Sequence, residues 1–353
     1  MNHVLHVVGA RPNFVKAAPV LRALAQRGAR QTLVHTGQHY DRNMSDVFFA
    51  QLAIPDPDVN LDVGSGSHAW QTAEIMRRFE PVVVGRKPDL VLVYGDVNST
   101  VAAALVCSKL GIRVGHVEAG LRSFDRTMPE EINRVVTDQL SELLFTPSED
   151  GDANLLREGV PKERIHFVGN VMIDSLIRLL PAAKSCARNG IPEPFALVTL
   201  HRPSNVDNID NLRDILETLT RMSEKLNVIF TVHPRTRQRI SEFNLTCRNL
   251  RLLEPVPYIE FLALQSRAAV VITDSGGIQE ETTYLGVPCL TLRANTERPI
   301  TVTAGTNILV GDDRERLVAE LANILTGKSK RAQTLPLWDG RSAERIADIL
   351  LPM

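Results

Sequence analysis

The chain has 353 residues, of which 44% are hydrophobic and 23% charged, and its formal net charge is −1. This length favours two domains of roughly 100–200 residues each, and the balanced charge argues against bulk attraction to nucleic acid or acidic membranes. The four cysteines are far apart in the sequence, which argues against zinc or a disulfide scaffold and is typical of a reducing cytoplasm. No apolar run approaches the ~18 residues of a membrane-spanning helix, and the N-terminus predicts a first strand and not a signal peptide.

The first half begins with a strand, a turn and a helix. Val4–Val8 predicts the strand, Gly9–Pro12 the turn and Asn13–Leu24 the helix. Arg11 lies in this turn and Lys16 in the first helical turn, where a cation opposes the helix dipole. Their placement predicts that an anion binds there; the alternative is a pair of solvated surface charges.

Four further strands are predicted in the first half: Gln31–Thr36, Asp89–Tyr94, Ile112–Val117 and Leu143–Thr146. The first three are followed by polar or small residues, in the segments Gly37–Asp41, Gly95–Thr100 and Glu118–Arg122. Helices are predicted near Ala69–Val84, Val101–Leu110 and Pro129–Leu140. Because proline at the first helical position and carboxylates in the first turn are ordinary, capping explains Glu130 and Glu131 locally.

The second half repeats this alternation. Its strands are predicted at Ala196–Leu200, Val228–Val232 and Ala268–Ile272, and its helices at Asp210–Lys225, Ile278–Leu285, Arg314–Thr326 and Ser342–Leu351. Leu250–Leu253 and Tyr258–Gln265 lead into the last of these strands. The sequence therefore predicts an α/β fold with two Rossmann-like domains facing across a cleft. We expect one domain to comprise residues 1–170 plus 338–353 and the other residues 171–337.

The turn Thr273–Gly277 is a candidate phosphate site. It joins a strand to a helix, so unpaired backbone N–H groups and the positive end of the helix dipole meet there. Ser275 can cap the helix or bond a phosphate oxygen, while Gly276 and Gly277 let an anion approach the backbone. Glu281 follows one turn later and can reach a ribose diol. The alternative is an ordinary capped helix of an α/β domain.

Polar residues follow five predicted strands, at Arg11, Asp96, Glu118, His201 and Ser275. Ligands of open α/β sheets bind beyond these carboxyl ends. Cations and a helix terminus suit a diphosphate and carboxylates suit proton transfer, although a histidine at a strand end is more often structural than catalytic. No G-x-G-x-x-G follows the first strand, and G-x-x-x-x-G-K-[ST], H-E-x-x-H and G-x-S-x-G do not occur. The absence of these four motifs argues against NAD binding, a P-loop, a metal site and a nucleophile elbow.

Seven collinear segments carry a family resemblance: Gly9–Pro12, Thr36–His39, Tyr94–Asp96, His116–Arg122, Pro129–Arg134, Thr273–Glu281 and Thr296–Pro299. Together they resemble the non-hydrolysing UDP-N-acetylglucosamine 2-epimerases over nearly the whole chain, and HVEAGLR and TDSGGIQEE are the most specific parts. The resemblance implies a glycosyltransferase-B-type fold, a UDP-sugar substrate, no external cofactor and a homodimer. It also implies inversion at C2 of the sugar by elimination and re-addition of UDP through a glycal.

The resemblance also implies roles for individual residues. The implied catalytic residues are Asp96, Glu118, Glu130 and His201. The implied UDP-sugar contacts are Arg11, Lys16, Phe261, Ser275, Gly276, Gly277, Glu281 and Arg298. A candidate second, regulatory site comprises Gln38, His39 and Arg202, although Asp41 and Trp70 differ from the family's pattern there. Which carboxylate is the base and which the acid stays open.

Departures from the family's pattern keep other substrates and reactions open. His201–Ser204 replaces a His-Arg-Arg-Glu segment, Val256 replaces a nucleotide-contacting glutamine, and the loop between Arg122 and Pro129 is shorter. A modified sugar such as a diacetamido uronic acid is therefore an alternative substrate. The alternative activities are a hydrolysing epimerase that releases UDP, a glycosyltransferase of the same fold, and a nucleotide-sugar sensor without turnover. The intact carboxylates and histidine argue against the sensor.

Overall fold

The computed structural model describes residues 3–38, 42–186 and 190–351, without the side chains of residues 42–46. The chain divides into two compact units: unit 1 is Met1–Arg178 with Pro336–Met353, and unit 2 is Leu179–Leu335. Each unit contains a parallel sheet whose strands are connected by helices, which confirms the predicted α/β class and its two Rossmann-like domains. In the part of the chain that is described, no helix combines the length and apolarity needed to cross a membrane.

Unit 1 alternates strands with helices along most of its length. Its strands are β1 (His3–Val8), β2 (Arg30–His35), β3 (Val59–Asn60), β4 (Leu90–Tyr94), β5 (Val114–Val117), β6 (Leu143–Thr146) and β7 (Ile165–Phe167). The helices between them are α1 (Arg11–Gln26), α2 (Arg42–Leu52), α3 (His68–Arg86), α4 (Asn98–Lys109), α5 (Pro129–Leu140) and α6 (Glu149–Arg157). A 3₁₀ turn at Lys162–Arg164 precedes β7, and α7 (Val171–Ser185) leads to unit 2.

The sheet of unit 1 has the strand order β3-β2-β1-β4-β5-β6-β7, with parallel pairing throughout. At its centre Val7 pairs with Val34 on one side and with Val93 on the other. Strands β1 and β4 are buried along their whole length, as expected for a parallel sheet covered on both faces. Helices α3, α4 and α5 pack side by side, while α1 packs against α2.

Unit 2 repeats this plan with a smaller sheet. Its strands are β8 (Phe195–Thr199), β9 (Asn227–Thr231), β10 (Leu250–Leu253), β11 (Val270–Thr273), β12 (Cys289–Thr291) and β13 (Asn307–Leu309). Its helices are α8 (Pro203–Val206), α9 (Ile209–Met222), α10 (Pro234–Glu242), α11 (Tyr258–Arg267), α12 (Gly276–Leu285), α13 (Pro299–Thr303) and α14 (Arg314–Leu325). The strand order is β10-β9-β8-β11-β12-β13, again parallel.

The last helix, α15 (Ser342–Leu350), belongs to unit 1 and packs against α1. Asp174 of α7 accepts hydrogen bonds from the backbone N–H groups of Ser342 (3.2 Å) and Ala343 (2.7 Å), which satisfies two of the donors at the start of α15. Burial raises the pKa of Asp174 to about 6. The indole of Trp338 donates to the carbonyl of Pro147 at 2.9 Å, so the C-terminal segment is anchored in unit 1 at two places.

The structure adds elements that the sequence analysis did not predict, namely α2, α6, α7, α8, α10, α13, β3, β7, β12 and β13. Three of these helices begin with proline, at Pro203, Pro234 and Pro299, and proline is compatible with the first helical position although it usually marks a turn. The prediction that Lys16 lies in the first helical turn was wrong. Because α1 already begins at Arg11, Lys16 lies in its second turn.

Burial of large side chains against the sheet predicts a large stability loss at Phe79. Its side chain is fully buried in α3, whereas Phe124 of the same unit is 71% exposed. We expect Phe79→Ala to reduce the free energy of unfolding by about 3–5 kcal/mol, since it removes buried apolar area and leaves a cavity. Phe124→Ala is the matched control and should change it by less than about 1 kcal/mol. Urea denaturation measures both, and equal losses would contradict the burial assigned to Phe79.

Candidate active site

The strand order of each sheet reverses at one pair of neighbouring strands, β1 and β4 in unit 1 and β8 and β11 in unit 2. Ligands of open α/β sheets bind beyond the carboxyl ends of the strands at such a reversal. Arg11 and Asp96 follow the two strands in unit 1, and His201 and Ser275 follow those in unit 2. Four of the predicted site residues thus lie at the two places where the topology favours a ligand.

Glu118 follows β5 and is ion-paired with Lys16. The Nζ–Oε1 distance is 2.6 Å and each side chain is only 3% exposed. The predicted phosphate contact Lys16 therefore has a carboxylate partner within unit 1. A Cβ at Gly95 would lie 2.6 Å from Lys16 Nζ and 3.5 Å from Glu118 Oε1, so only glycine leaves room for this pair beside the Asp96 loop. Glu118 itself has a φ of +76°, a left-handed conformation that non-glycine residues rarely adopt.

Asp96 is held by the helix α5 that begins nearby. Its carboxylate pairs with the guanidinium of Arg134, and its carbonyl accepts a hydrogen bond from the Asn133 amide at 2.9 Å. The Asp96 side chain keeps 21% exposure, so part of it is accessible to a ligand. The same guanidinium pairs with Glu131 Oε2 at 2.9 Å. The sequence analysis did not single out Arg134; its only signal was the three-residue spacing from Glu131 on one helix face.

The two carboxylates at the start of α5 have different surroundings. Glu131 is buried and accepts hydrogen bonds from the backbone N–H groups of Ser123 and Phe124, both at 2.9 Å, so it fixes the loop that precedes the helix. Glu130 is half-buried in the first turn.

Arg11, which follows β1, lies beside an aromatic ring: its guanidinium carbon is 5.8 Å from the ring centroid of Phe48.

A buried network connects the loops that carry Asp96 and Glu118. His116 contacts Asp138 Oδ1 through Nδ1 at 2.6 Å and the carbonyl of Gly95 through Nε2 at 2.8 Å. Asp138 Oδ2 accepts from Arg122 at 2.7 Å and from the backbone N–H of Gly120 at 3.1 Å. Burial opposes ionisation of Asp138, but the charges and hydrogen bonds of His116 and Arg122 hold the pKa of Asp138 below its usual value.

In unit 2 the glycine turn leads into α12. Ser275 is at the N-cap position but its side chain makes no capping hydrogen bond, so the hydroxyl is not used to cap the helix. A Cβ at Gly276 would overlap Arg298 Nη1 and lie 2.5 Å from Glu297 Oε1. Arg298 is 5% exposed and pairs with Glu297 and, at 2.8 Å, with Glu280. The predicted UDP contact Arg298 thus packs directly behind the turn.

Glu281 lies one turn into α12 and is buried. The hydroxyl of Tyr258 donates to Glu281 Oε1 at 2.6 Å, and burial raises the pKa of Glu281 to about 7. Phe261 is partly buried against the apolar cluster that Val256 and Ile278 also contact. The sequence analysis missed the contact of Tyr258 with Glu281. No local pattern relates an aromatic residue at a helix start to a carboxylate 23 residues later.

His201 lies next to a buried carboxylate. Its Nδ1 is 2.9 Å from Asp274 Oδ1, and the imidazole is 42% exposed while the Asp274 side chain is fully buried. The His201 and His233 ring centroids are 5.7 Å apart. Asp274 had no role in the sequence analysis, although it follows β11 directly and so met the same strand-end criterion as Ser275.

Two residues of the candidate regulatory site, Gln38 and Arg202, have partners within their own units. Gln38 is buried, and its Oε1 accepts from the Ser99 hydroxyl at 2.7 Å. Arg202 Nε donates to the Asp274 carbonyl at 3.0 Å. His39 and Asp41 lie outside the described residues, so the regulatory site stays a prediction. Among residues 3–38, 42–186 and 190–351, no cluster of three or more His, Cys, Asp or Glu side chains is arranged to hold a metal ion.

Comparison with known proteins decides the family. The family profile described as UDP-N-acetylglucosamine 2-epimerase matches residues 22–351. This chain belongs to the UDP-N-acetylglucosamine 2-epimerase family. A relative with that name from Methanocaldococcus jannaschii is 46% identical, over 98% of this chain and 97% of its own. The resemblance inferred from the seven sequence segments is therefore confirmed.

A second relative and a solved structure bear on the substrate. The Pseudomonas aeruginosa UDP-2,3-diacetamido-2,3-dideoxy-D-glucuronate 2-epimerase is 42% identical over 98% of this chain and 99% of its own. The crystal structure of the M. jannaschii UDP-GlcNAc 2-epimerase in complex with UDP-GlcNAc and UDP matches with a TM-score of 0.93 and 45% identity, covering 99% of both chains. The fold is thus shared over the full length, and the family contains more than one UDP-sugar specificity.

The buried Asp138 network predicts a stability that depends on pH. We expect Asp138→Asn to reduce the free energy of unfolding by about 3–5 kcal/mol at pH 7, because it leaves buried cations without their carboxylate. The pKa of Asp138 is depressed from its ordinary 3.8, so this contribution is present above that pH and is lost as the pH falls further. The difference between wild type and variant in urea denaturation should therefore narrow below about pH 4.

Asp348→Asn is the control for this prediction. Asp348 pairs with Arg27 in the same unit, but its side chain is 56% exposed. Exposed ion pairs contribute about 0–1 kcal/mol, so the variant should remain close to wild type. A loss at Asp138→Asn no larger than the loss at Asp348→Asn would show that the buried network does not stabilise the fold.

Proposed function

We propose that this chain inverts C2 of a UDP-2-acetamido sugar and interconverts UDP-N-acetylglucosamine and UDP-N-acetylmannosamine. The observation that carries the proposal is the full-length match to a relative named for this activity, at 46% identity over 98% of the chain. The carboxylates Asp96, Glu118 and Glu130 and the helix start after β11 are the kinds of chemical group that the reaction requires.

The chemistry explains why both kinds of group are needed. The C2 proton is not adjacent to a carbonyl, so its direct removal is very costly. In the proposed elimination, the C1–O bond breaks and its electron pair goes to the diphosphate oxygen, while a carboxylate takes the C2 proton and C1=C2 forms. In the reverse step the diphosphate oxygen attacks C1, and a proton is delivered to the opposite face of C2. UDP therefore has to stay bound after its bond to the sugar is broken.

Each unit supplies one part of this chemistry. In unit 2, the backbone N–H groups of Gly276 and Gly277 at the start of α12 and the Ser275 hydroxyl bind the diphosphate, with the protonated His201 ring as a further donor. In unit 1, Asp96, Glu118 and Glu130 exchange the C2 proton, and the assignment of base and acid among them stays open. The Lys16–Glu118 pair of 2.6 Å orients the Glu118 carboxylate.

A diacetamido uronic acid nucleotide is the second candidate substrate. It is favoured by the relative from P. aeruginosa, whose name specifies that substrate and which is 42% identical over 98% of this chain. Comparing turnover of the two UDP-sugars with the same enzyme preparation distinguishes them. A candidate glycosyltransferase activity would need an acceptor and would not exchange the C2 hydrogen.

The quaternary state and the compartment belong to the same proposal. We infer a homodimer from the family resemblance, and size-exclusion chromatography with light scattering tests it. We infer a cytoplasmic location because all four cysteines, Cys107, Cys186, Cys247 and Cys289, are unpaired thiols, as in a reducing compartment.

Hydrogen exchange at C2 tests the proposed reaction. Wild-type protein incubated with UDP-N-acetylglucosamine in deuterated water should give both epimers with deuterium at C2 and with UDP still attached, as followed by mass spectrometry and NMR. Asp96→Asn and Glu118→Gln should lower the exchange rate by about 10²-fold or more, because each removes a proton-transfer group. The affinity for UDP, measured by calorimetry, should change little.

Glu142→Gln is the matched control, since Glu142 is an exposed carboxylate of unit 1 that pairs with Arg113. It should exchange deuterium at the wild-type rate. Release of UDP together with N-acetylmannosamine would instead identify a hydrolysing epimerase. Near-normal exchange in either strand-end variant would remove that carboxylate from the mechanism.

A further inference from the structure

Asp274 connects the glycine turn of unit 2 to His201. Its carboxylate is fully buried and lies one residue before Ser275. It contacts His201 Nδ1 at 2.9 Å and accepts from the backbone N–H of His201 at 3.1 Å. It also accepts from the backbone N–H of Arg202 at 2.9 Å and from the Asn205 amide at 3.0 Å. One buried carboxylate thus binds both the ring and the backbone of the histidine.

Neighbouring strands bring these residues together. β8 and β11 pair in register, with Thr199 beside Thr273, so the residues that follow the two strands meet at the same edge of the sheet. The His233 ring lies beside the His201 ring, with 5.7 Å between their centroids. The His201 imidazole is nevertheless 42% exposed, whereas a histidine that serves only the core is buried.

The contacts determine which ring nitrogen carries the hydrogen. A carboxylate only accepts hydrogen bonds, so the 2.9 Å contact requires a proton on His201 Nδ1. Burial opposes ionisation of Asp274, but the charge and hydrogen bond of His201 and the bonds from Asn205 and Arg202 lower the pKa of Asp274 to about 2. Asp274 is therefore a carboxylate at neutral pH, and Nε2 is the nitrogen that remains for a ligand.

We propose that Asp274 is a positioning residue for His201: it accepts from Nδ1–H, so that the ring, when protonated on both nitrogens, donates from Nε2–H to the diphosphate oxygen as the C1–O bond breaks. This inference rests on the proposed elimination of UDP. Asp274 itself does not contact the substrate. A carboxylate that binds a histidine through Nδ1–H fixes the orientation of the ring and stabilises its protonated form, and the loss of such a partner typically costs 10-fold to 10⁴-fold in activity.

The wild-type protein provides the first test. A ¹⁵N spectrum of the full chain with labelled histidine reports the protonation of each ring nitrogen, and the His201 signals are assigned by their loss in His201→Gln. We expect a protonated Nδ1. A His201 ring with an unprotonated Nδ1 would overturn the proposal, and this measurement requires no substitution at the buried carboxylate.

A double-mutant cycle provides the second test. Asp274→Asn keeps the size of the side chain, and we expect kcat for C2 exchange to fall by about 10²-fold while KM and the Kd for UDP stay near the wild-type values. In a His201→Gln background the same substitution should cause no further loss, because its target is gone. An equal loss in both backgrounds, or a loss confined to UDP affinity, would show that Asp274 only stabilises the turn.

Asp210→Asn is the control, since Asp210 is 77% exposed on α9 in the same unit, and it should exchange at the wild-type rate. Failure of the two proposals can be distinguished. If wild-type protein binds UDP but does not exchange the C2 hydrogen, the proposed function fails. If wild-type protein exchanges the C2 hydrogen and Asp274→Asn exchanges it at the same rate, only the positioning role fails. If Asp274→Asn does not fold, the wild-type spectrum of His201 decides.

Discussion

The reversal of strand order, between β1 and β4 in unit 1 and between β8 and β11 in unit 2, is the constraint on which the candidate active-site residues of each unit depend. Parallel strands need crossover connections, and these are right-handed in nearly all proteins, so helices before and after the reversal cover opposite faces of the sheet. The loops at the carboxyl ends of β1 and β4, and of β8 and β11, therefore diverge and leave backbone groups accessible. Arg11, Asp96, His201 and Ser275 have access to a ligand because of this topology, whatever their individual chemistry.

Several buried charges near the candidate site residues have an ionisable partner beside them. Lys16 pairs with Glu118 and Arg298 with Glu280, while Asp274 contacts the His201 ring. Removing a single charge from water costs several kcal/mol, which the pairing largely offsets. Such pairing also orients the side chains before the substrate binds. A side chain that is held by a charged partner has few alternative conformations left to lose on binding.

The strand ends could be predicted well because they follow apolar runs, and an apolar run is a local pattern of consecutive residues in the sequence. It did not predict their partners, because those depend on which strands become neighbours. Glu118 and Lys16 are 102 residues apart, and Asp274 and the backbone of His201 are 73 apart. Asp274 was treated as part of a turn and Lys16 as a phosphate contact, since no local pattern shows a carboxylate supplied by another strand.

The buried ion pairs next to the glycine turn limit which groups of unit 2 can attract the diphosphate of the proposed substrate. Arg298 pairs with Glu280 and Glu297, and Glu297 also pairs with Arg293 at 2.6 Å, so two cations face two carboxylates in a buried group. Such a group has no net charge to offer an anion, and two of its side chains occupy the space that a Cβ at Gly276 would need. In the proposed function, the attraction in unit 2 is assigned to the backbone N–H groups at the start of α12 and the helix dipole, with the protonated His201 ring as the neighbouring side-chain donor. The proposed elimination then needs little reorganisation of the protein, because donors fixed at a helix start can stabilise the charge that would develop on UDP as the C1–O bond breaks.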